Sequence, residues 1–139
     1  MNNTSDNRLT EGDLLDIQGI IINGYGSLPC SLFLFFEFTD TTAGKAWLAD
    51  IAPKVRTAER KAKQDRDPYA VQIAFTHAGL TALQLPQNAL DLFPREFAEG
   101  MSLGERPRVL GDTDGSDPQK WQFGGTGTGS SPIHVIVML

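Results

Sequence analysis

The chain has 139 residues and a mass of 15.2 kDa, which fits a single domain with one hydrophobic core. Hydrophobic residues make up 40% of it, and no apolar stretch is long enough to cross a bilayer, so we expect a soluble protein without a membrane partner. The net charge of −5 repels phosphate backbones and argues against a nucleic-acid partner.

The N-terminal residues are polar and lack the basic and apolar regions of a signal peptide, which favours a cytoplasmic location. We expect residues 1–13 to form a disordered tail and residues 14–139 to form the domain. The segment Leu14 to Ile22 is apolar and is followed by Gly24-Tyr25-Gly26, a pattern that predicts an extended lead-in and a turn.

The residues Ser31 to Phe38 form the strongest strand pattern of the sequence, because aromatic and aliphatic side chains dominate it. Asp40 and the two threonines after it are candidates for a helix N-cap. The helix that follows should turn a stripe of apolar side chains inward and should end at Pro53; the predicted stripe contains Ala43, Ala46, Trp47 and Ile51.

The middle of the chain predicts further elements in a regular order. Lys54 to Glu59 is a candidate short strand, and Tyr69 to Phe75 is a clear one. A helix should run from Thr76 to Pro86, and a second helical segment should run from about Asn88 to Gly100, with Pro94 as a candidate break.

The last third predicts a long irregular connection from Arg106 to Ser131, anchored by Trp121 and Phe123. The Gly-rich residues 124–131 lack the lysine of a phosphate-binding loop and lead into a strand, so we interpret them as a flexible connector. Ile133 to Leu139 is a final buried strand.

The order strand, helix, possible strand, strand, helix, strand is that of the split βαβ arrangement. We therefore predict an α+β fold: a ferredoxin-like βαββαβ domain, with an antiparallel sheet and helices on one face.

Both faces of this sheet are predicted to be apolar, whereas a sheet with one wet face should alternate apolar and polar residues. Large apolar patches are rare on soluble monomers, so the second face should pack against another domain or chain. An alternative is that residues 14–28 and the Trp121 loop fold across it. The first and last strands show the pattern, with Leu32, Leu34, Phe36 and Phe38 against Phe33 and Phe35, and Val135, Val137 and Leu139 against Ile136 and Met138.

Several strings resemble the N-terminal domain of the dye-decolorizing (DyP-type) heme peroxidases. Their order and spacing are more specific than any one of them. The strings are Asp16-Ile17-Gln18-Gly19, Gly24-Tyr25-Gly26, Leu32 to Phe36, Ala74 to Leu80 with Leu83 and Leu85-Pro86, Phe93-Pro94 with Phe97 and Gly100-Met101, Leu110-Gly111-Asp112 with Asp117-Pro118 and Trp121, and Ile133-His134-Val135.

The resemblance implies one half of a dimeric α+β barrel arrangement in a two-domain enzyme that binds heme b, reduces hydrogen peroxide and oxidises dyes or other one-electron donors. In that family the proximal histidine, the aspartate of a Gly-x-x-Asp-Gly motif and a distal arginine follow the first domain. We therefore expect that this chain lacks the heme-ligating half. It should be inactive alone, or be one subunit of a split enzyme, and its partner should be a heme-carrying C-terminal half or a second copy of itself.

Four residues resemble catalytic groups but are interpreted as structural. Asp114 lies in a Gly-x-x-Asp-Gly match whose neighbours fit an earlier family string, so we assign it no role in peroxide cleavage. His77 and His134 are the histidines available as heme ligands, and neither matches the family's ligand. Cys30 is the sole cysteine and is expected to be a buried or semi-buried thiol.

We consequently predict no catalytic, cofactor-binding or metal-binding residue in this chain. The alternative function is a non-enzymatic ferredoxin-like module that homodimerises through its open sheet face.

Overall fold

A computed structural model of the chain describes residues 8–62, 65 and 67–139. Short helices and three short strands make up this part. The helices are α1 (Glu11–Asp16), α2 (Gly19–Ile22), α3 (Thr41–Ile51), α4 (His77–Ala82), α5 (Gln87–Leu90), α6 (Arg95–Glu99) and α7 (Arg106–Leu110), and the strands are β1 (Phe33–Phe36), β2 (Gln72–Phe75) and β3 (Val135–Met138).

The strands form an antiparallel sheet in the order β1-β3-β2, so the last strand lies between the first two. The register pairs Leu34 and Ile73 with the same β3 residue, Val137, and these three side chains share one face. The predicted α+β class with an antiparallel sheet is confirmed.

The hydrophobic core lies between this face of the sheet and α3. Its buried members are Val71, Ile73, Val135 and Val137. Partly buried side chains pack against them from the sheet, from α3 and from the segment after α3; these include Leu34, Phe38, Trp47, Leu48, Ile51 and Val55. This face is called the α3 face below, and the opposite face is called the second face.

Helix α3 begins as predicted, because the Asp40 side chain accepts a hydrogen bond from Ala43 N at 2.7 Å. A 3-10 turn at Ala52–Lys54 follows it and contains Pro53. The predicted inward stripe is wrong at two positions: Ala43 and Ala46 are exposed. Helical spacing allowed either neighbouring stripe, and the larger side chains of Trp47, Leu48 and Ile51 are the ones in the core.

The lead-in is not extended, as the sequence had indicated, but contains α1 and α2. Thr10 caps α1 in a reciprocal capping box with Asp13, so three of the residues assigned to the N-terminal tail belong to a helix. The domain boundary at residue 13 stays a prediction, and residues 1–7 of the expected tail lie outside the described residues.

Two further segments differ from expectation. The candidate strand at Lys54 to Glu59 is reduced to two isolated bridges, one between Val55 and Val71 and one between Thr57 and Gln18. The connection from Arg106 to Ser131 contains α7 and two 3-10 turns, at Asp114–Ser116 and Pro118–Lys120. The break at Pro94 is confirmed, because α5 and α6 end and begin around it.

Candidate functional site

The N-terminal segment attaches to the sheet through the side chain of Gln18. Its amide nitrogen donates to Ile73 O at 2.9 Å, and its amide oxygen accepts from Ile73 N at 3.0 Å. The N–H and C=O of Ile73 point away from β3, and the Gln18 side chain satisfies both of them. Gln18 closes this edge of the sheet as a neighbouring strand would.

A buried glutamine on the second face holds the same segment. Gln72 is 2% exposed, and its amide nitrogen donates to the Tyr25 hydroxyl at 3.0 Å and to Arg56 O at 2.9 Å. Its amide oxygen accepts from Ile20 N at 3.2 Å. The polar atoms of this side chain are thus paired despite burial, as burial requires.

Tyr25 and Arg56 complete this network. The Arg56 guanidinium lies 5.6 Å from the centroid of the Tyr25 ring. Burial raises the pKa of the Tyr25 hydroxyl above its usual value, and the nearby Arg56 charge opposes that shift. Gly19 packs so closely here that a β-carbon would lie 2.8 Å from Thr57 O. The strings containing Gln18-Gly19 and Tyr25 therefore share one structural role, which is to fix the lead-in against β2.

His134 lies where β3 begins and serves the backbone around it. Its Nδ1 accepts a hydrogen bond from Phe38 N at 2.9 Å, so this nitrogen carries no proton and its lone pair is engaged. The carbonyl of His134 accepts from Thr76 N at 3.1 Å. These contacts make His134 a link between β1, β3 and the start of α4.

His77 is half-buried at the first position of α4, and its ring meets the Phe97 ring edge-on at 6.1 Å. Thr76 caps this helix by accepting from Gly79 N at 3.0 Å. Gly79 approaches β3 so closely that a β-carbon would lie 1.9 Å from His134 O. The two histidines therefore take part in helix and strand packing and not in a shared site.

Asp114 begins an exposed 3-10 turn and has a positive φ of 52°. Its backbone carbonyl accepts from Lys120 Nζ at 2.7 Å. Cys30 is exposed, so the prediction of a buried or semi-buried thiol is wrong; the irregular segment before β1 leaves the side chain in solvent. Within residues 8–62, 65 and 67–139, no group of three or more His, Cys, Asp or Glu side chains is placed to hold a metal ion.

The Gly-rich residues after Trp121 pack against their own neighbours. A β-carbon at Gly125 would lie 2.2 Å from Pro118 O, and one at Gly127 would lie 2.0 Å from Gln119 O. The glycines here allow close backbone packing, so the interpretation of this tract as a loose connector needs correcting. The packed turn positions Phe123.

The second face of the sheet is covered at one side and open at the other. The lead-in covers Gln72, as the alternative interpretation had predicted, but Phe33 and Phe35 on β1 are 54% and 46% exposed. Phe123 from the Trp121 loop stacks on Phe35 with ring centroids 5.2 Å apart, yet is itself 49% exposed. We call this patch the open sheet face; it consists of Phe33, Phe35, Ala74, Phe123, Ile136 and Met138.

Sequence reasoning missed the structural glutamines but contained a signal for one of them. Gln72 is a lone polar residue inside the apolar strand Tyr69 to Phe75, and a polar side chain in a buried strand requires partners. Gln18 gave no such signal, because its partner is the backbone of a residue far along the chain.

Comparisons with known proteins agree on one family. A family model described as "DyP dimeric alpha+beta barrel domain" matches residues 16–138. A dye-decolorizing peroxidase of Mycena epipterygia is 35% identical over 101 residues, which cover 70% of this chain and 19% of that protein. The chain therefore spans about a fifth of the length of this curated relative. Within the described residues, no helix has the length and apolar character needed to cross a membrane.

Proposed function

We infer the function from the family to which this chain belongs, the dye-decolorizing (DyP-type) peroxidases, whose N-terminal α+β barrel domain it matches. We propose that it is the structural half of a heme peroxidase that reduces hydrogen peroxide and oxidises dyes or other one-electron donors. A heme-carrying C-terminal half would pack on its open sheet face. That face, apolar and exposed at Phe33 and Phe35, is the observation that carries the proposal.

The amount of exposed surface supports a large missing partner. The accessible surface of the chain is 10343 Å², whereas a compact monomer of 15.2 kDa exposes roughly 7,100 Å². The ten residues outside the described part, however they lie, could supply at most about 1,600 Å² of the excess. The remaining area exceeds the roughly 800 Å² that each partner buries in a standard interface.

The described residues do not fit a heme group by themselves. An axial histidine is the usual iron ligand, but ligation through His134 Nε2 would require a proton on Nδ1, which instead accepts from the Phe38 amide. The His77 ring packs on Phe97. Neither histidine lines the cleft of about 240 Å³ beside α3 or the cleft of about 430 Å³ beside Lys54 and Tyr69. We therefore derive no catalytic step from this chain and propose that the heme contacts come from the other half.

A second candidate function is supported by the description of the matching family model as a dimeric domain. In that case two copies of this chain would cover each other's open sheet faces, without heme. Under either proposal the protein acts in the cytoplasm, and neither nucleic acid nor a membrane is a partner.

The test is to purify the chain with added hemin and to record the Soret band, peroxide-dependent dye oxidation and molecular mass. We expect neither a stoichiometric Soret band nor turnover from the chain alone. Stoichiometric heme with turnover would contradict the assignment of a structural half. A heme-free dimer would favour the second candidate over the first.

A further inference from the structure

The hydrogen bond between the His134 ring and the Phe38 backbone fixes the protonation state of the imidazole. His134 Nδ1 lies 2.9 Å from Phe38 N. A backbone N–H can only donate a hydrogen bond, so Nδ1 must accept with its lone pair and carry no proton. The ring is therefore neutral in this folded arrangement, with its proton on Nε2.

Protonation of the ring and this hydrogen bond exclude each other. An imidazole that gains a second proton carries one on each nitrogen and has no acceptor left. The Nδ1–H would then face the Phe38 N–H, donor against donor. Either the ring turns away or the Phe38 backbone moves, and the Phe38 amide loses its partner in both cases. Because an imidazole changes its charge between about pH 5 and 8, acidification in this range acts on the bond.

The backbone of His134 is held by its own hydrogen bonds. Its N–H donates to Phe36 O at 2.8 Å, where β1 ends, and its carbonyl accepts from Thr76 N at 3.1 Å, directly before α4. Neither of these bonds involves the imidazole. The side chain is therefore the part of His134 that responds to a proton, while its backbone stays paired with β1 and with the start of α4.

Phe38 connects this hydrogen bond to the cleft beside α3. The centroid of the Phe38 ring lies 5.9 Å from that of His134 and 5.8 Å from that of Trp47. Phe38 and Trp47 both line the cleft of about 240 Å³. Two residues after Phe38, Asp40 caps α3. Release of the Phe38 backbone therefore frees one wall of the cleft and the turn that leads into α3.

Other titratable groups lie on the elements around this bond, and a variant can separate them from His134. Strands β2 and β3 carry no charged side chain. In His134→Asn the other groups are all retained, so a response that they cause would persist in that variant. These groups are Glu37 and Asp40 on the turn between β1 and α3, Lys45 and Asp50 on α3, and His77 on α4.

We propose that His134 is a pH-sensitive switch: acidification protonates Nδ1, breaks the hydrogen bond from Phe38 N and opens the cleft between Phe38 and α3. The switch is closed at neutral pH, where Nδ1 accepts the bond. It lies within this chain, so it goes beyond the proposed function and does not depend on it.

The test records NMR spectra and amide hydrogen exchange of the whole chain from about pH 7.5 to about pH 5. The imidazole nitrogen shifts report when Nδ1 gains its proton. Over the same range we expect the protection factor of the Phe38 amide, corrected for the intrinsic pH dependence of exchange, to fall about tenfold, as loss of one hydrogen bond implies. The Arg56 amide, bonded to Val71 O at 2.9 Å beside the other end of β2, should keep its protection.

Quenching of Trp47 fluorescence by acrylamide measures the opening of the cleft. Trp121 is the other tryptophan of the chain, so the experiment uses a Trp121→Phe background to assign the signal to Trp47. We expect quenching to increase on acidification, with the same midpoint as the titration of Nδ1.

Two variants assign the response to one side chain. The amide oxygen of His134→Asn can accept from Phe38 N but does not titrate, so we expect this variant to lose the pH response of the Phe38 amide. His77→Gln is the matched control, because it removes the other histidine and should keep the full response. The titration of the parent chain decides the question even if His134→Asn does not fold.

A Phe38 amide that keeps its protection while Nδ1 is protonated would overturn the proposal, and so would an Nδ1 that stays unprotonated down to about pH 5. Persistence of the response in His134→Asn would overturn it by assigning the effect to another group. An equal loss of protection at Arg56 would do so by showing acid unfolding of the whole domain. Heme takes no part in these measurements, so the Soret experiment tests the proposed function separately.

Discussion

Contacts between single residues far apart in sequence hold the lead-in on β2 and α4 against the start of β3. Gln18 and Gln72 hold the lead-in on β2 through four hydrogen bonds of their side-chain amides, from 2.9 to 3.2 Å. Gly79 lets α4 lie directly on the backbone of His134. Several residues of the family-like strings therefore pack elements together or attach one segment to another. His77 and His134 belong to this group, because their contacts are with the backbone and side chains of neighbouring elements.

Gly79→Ala tests the close contact between α4 and β3. A β-carbon there would lie 1.9 Å from His134 O, a backbone atom that cannot move without shifting β3. We expect the free energy of unfolding, measured by urea denaturation, to fall by about 1–3 kcal/mol. Gly26→Ala is the control, because a β-carbon there meets nothing within 4 Å. Equal stability of the two variants would contradict the contact.

Gln72→Leu tests the buried network. The substitution removes the Gln72 amide from Ile20 N and from the Tyr25 hydroxyl, whereas Arg56 O keeps its bond from Gly19 N. We expect a loss of about 1–3 kcal/mol in urea denaturation. Gln119→Leu, an exposed glutamine, should change stability by no more than about 0.5 kcal/mol. A neutral Gln72→Leu would show that the lead-in does not depend on this side chain.

Tyr25 gives the network a pH dependence. Burial raises its pKa above 10.0, so the folded state binds the phenol proton more tightly than the unfolded state does. Its contribution to stability is therefore complete below pH 10.0 and is lost as pH rises through the folded-state pKa. In urea denaturation from pH 8 to 11, Tyr25→Phe should lose less stability over the alkaline range than the parent chain. An identical decline in both would contradict this.

At the scale of elements, the sequence predicted those helices and strands whose formation depends on neighbouring residues. Strand β1, the Asp40 cap of α3 and the break at Pro94 were visible because each depends on neighbouring residues. The helical lead-in was missed because α2 is a single turn whose amide at Ile20 is bonded to Gln72, a distant residue. The candidate strand at Lys54 to Glu59 was wrong because Arg56 O bonds to Gly19 N and to the Gln72 side chain, and not to the backbone of a strand.

Asp40→Ala tests the start of α3, the helix that covers the core. The Asp40 carboxylate accepts from Ala43 N at 2.7 Å, and losing an N-cap of this kind costs about 1 kcal/mol of unfolding free energy. Asp50→Ala, near the other end of the same helix, should be neutral or slightly stabilising, since a carboxylate there opposes the helix dipole. Thermal denaturation of both variants measures the difference, and equal losses would argue against the cap.

At the scale of the whole molecule, the chain has a small core and a large apolar surface. The fold class could be predicted from the order of elements, and an apolar second face could be predicted from strands that are apolar on both faces. The sequence could not predict which part of the second face is covered and which is exposed. That depends on where Gln18 and Tyr25 attach to β2.

The most direct measurement is the heme content of a chimera. The matched region of the Mycena epipterygia peroxidase, 19% of its length, would be replaced by the corresponding residues of this chain, and the Soret absorbance per protein recorded beside the isolated chain. We expect stoichiometric heme and peroxide-dependent dye oxidation in the chimera, and neither in the isolated chain. A chimera that folds but stays without heme, or an isolated chain that binds heme and turns over, would contradict the assignment of a structural half.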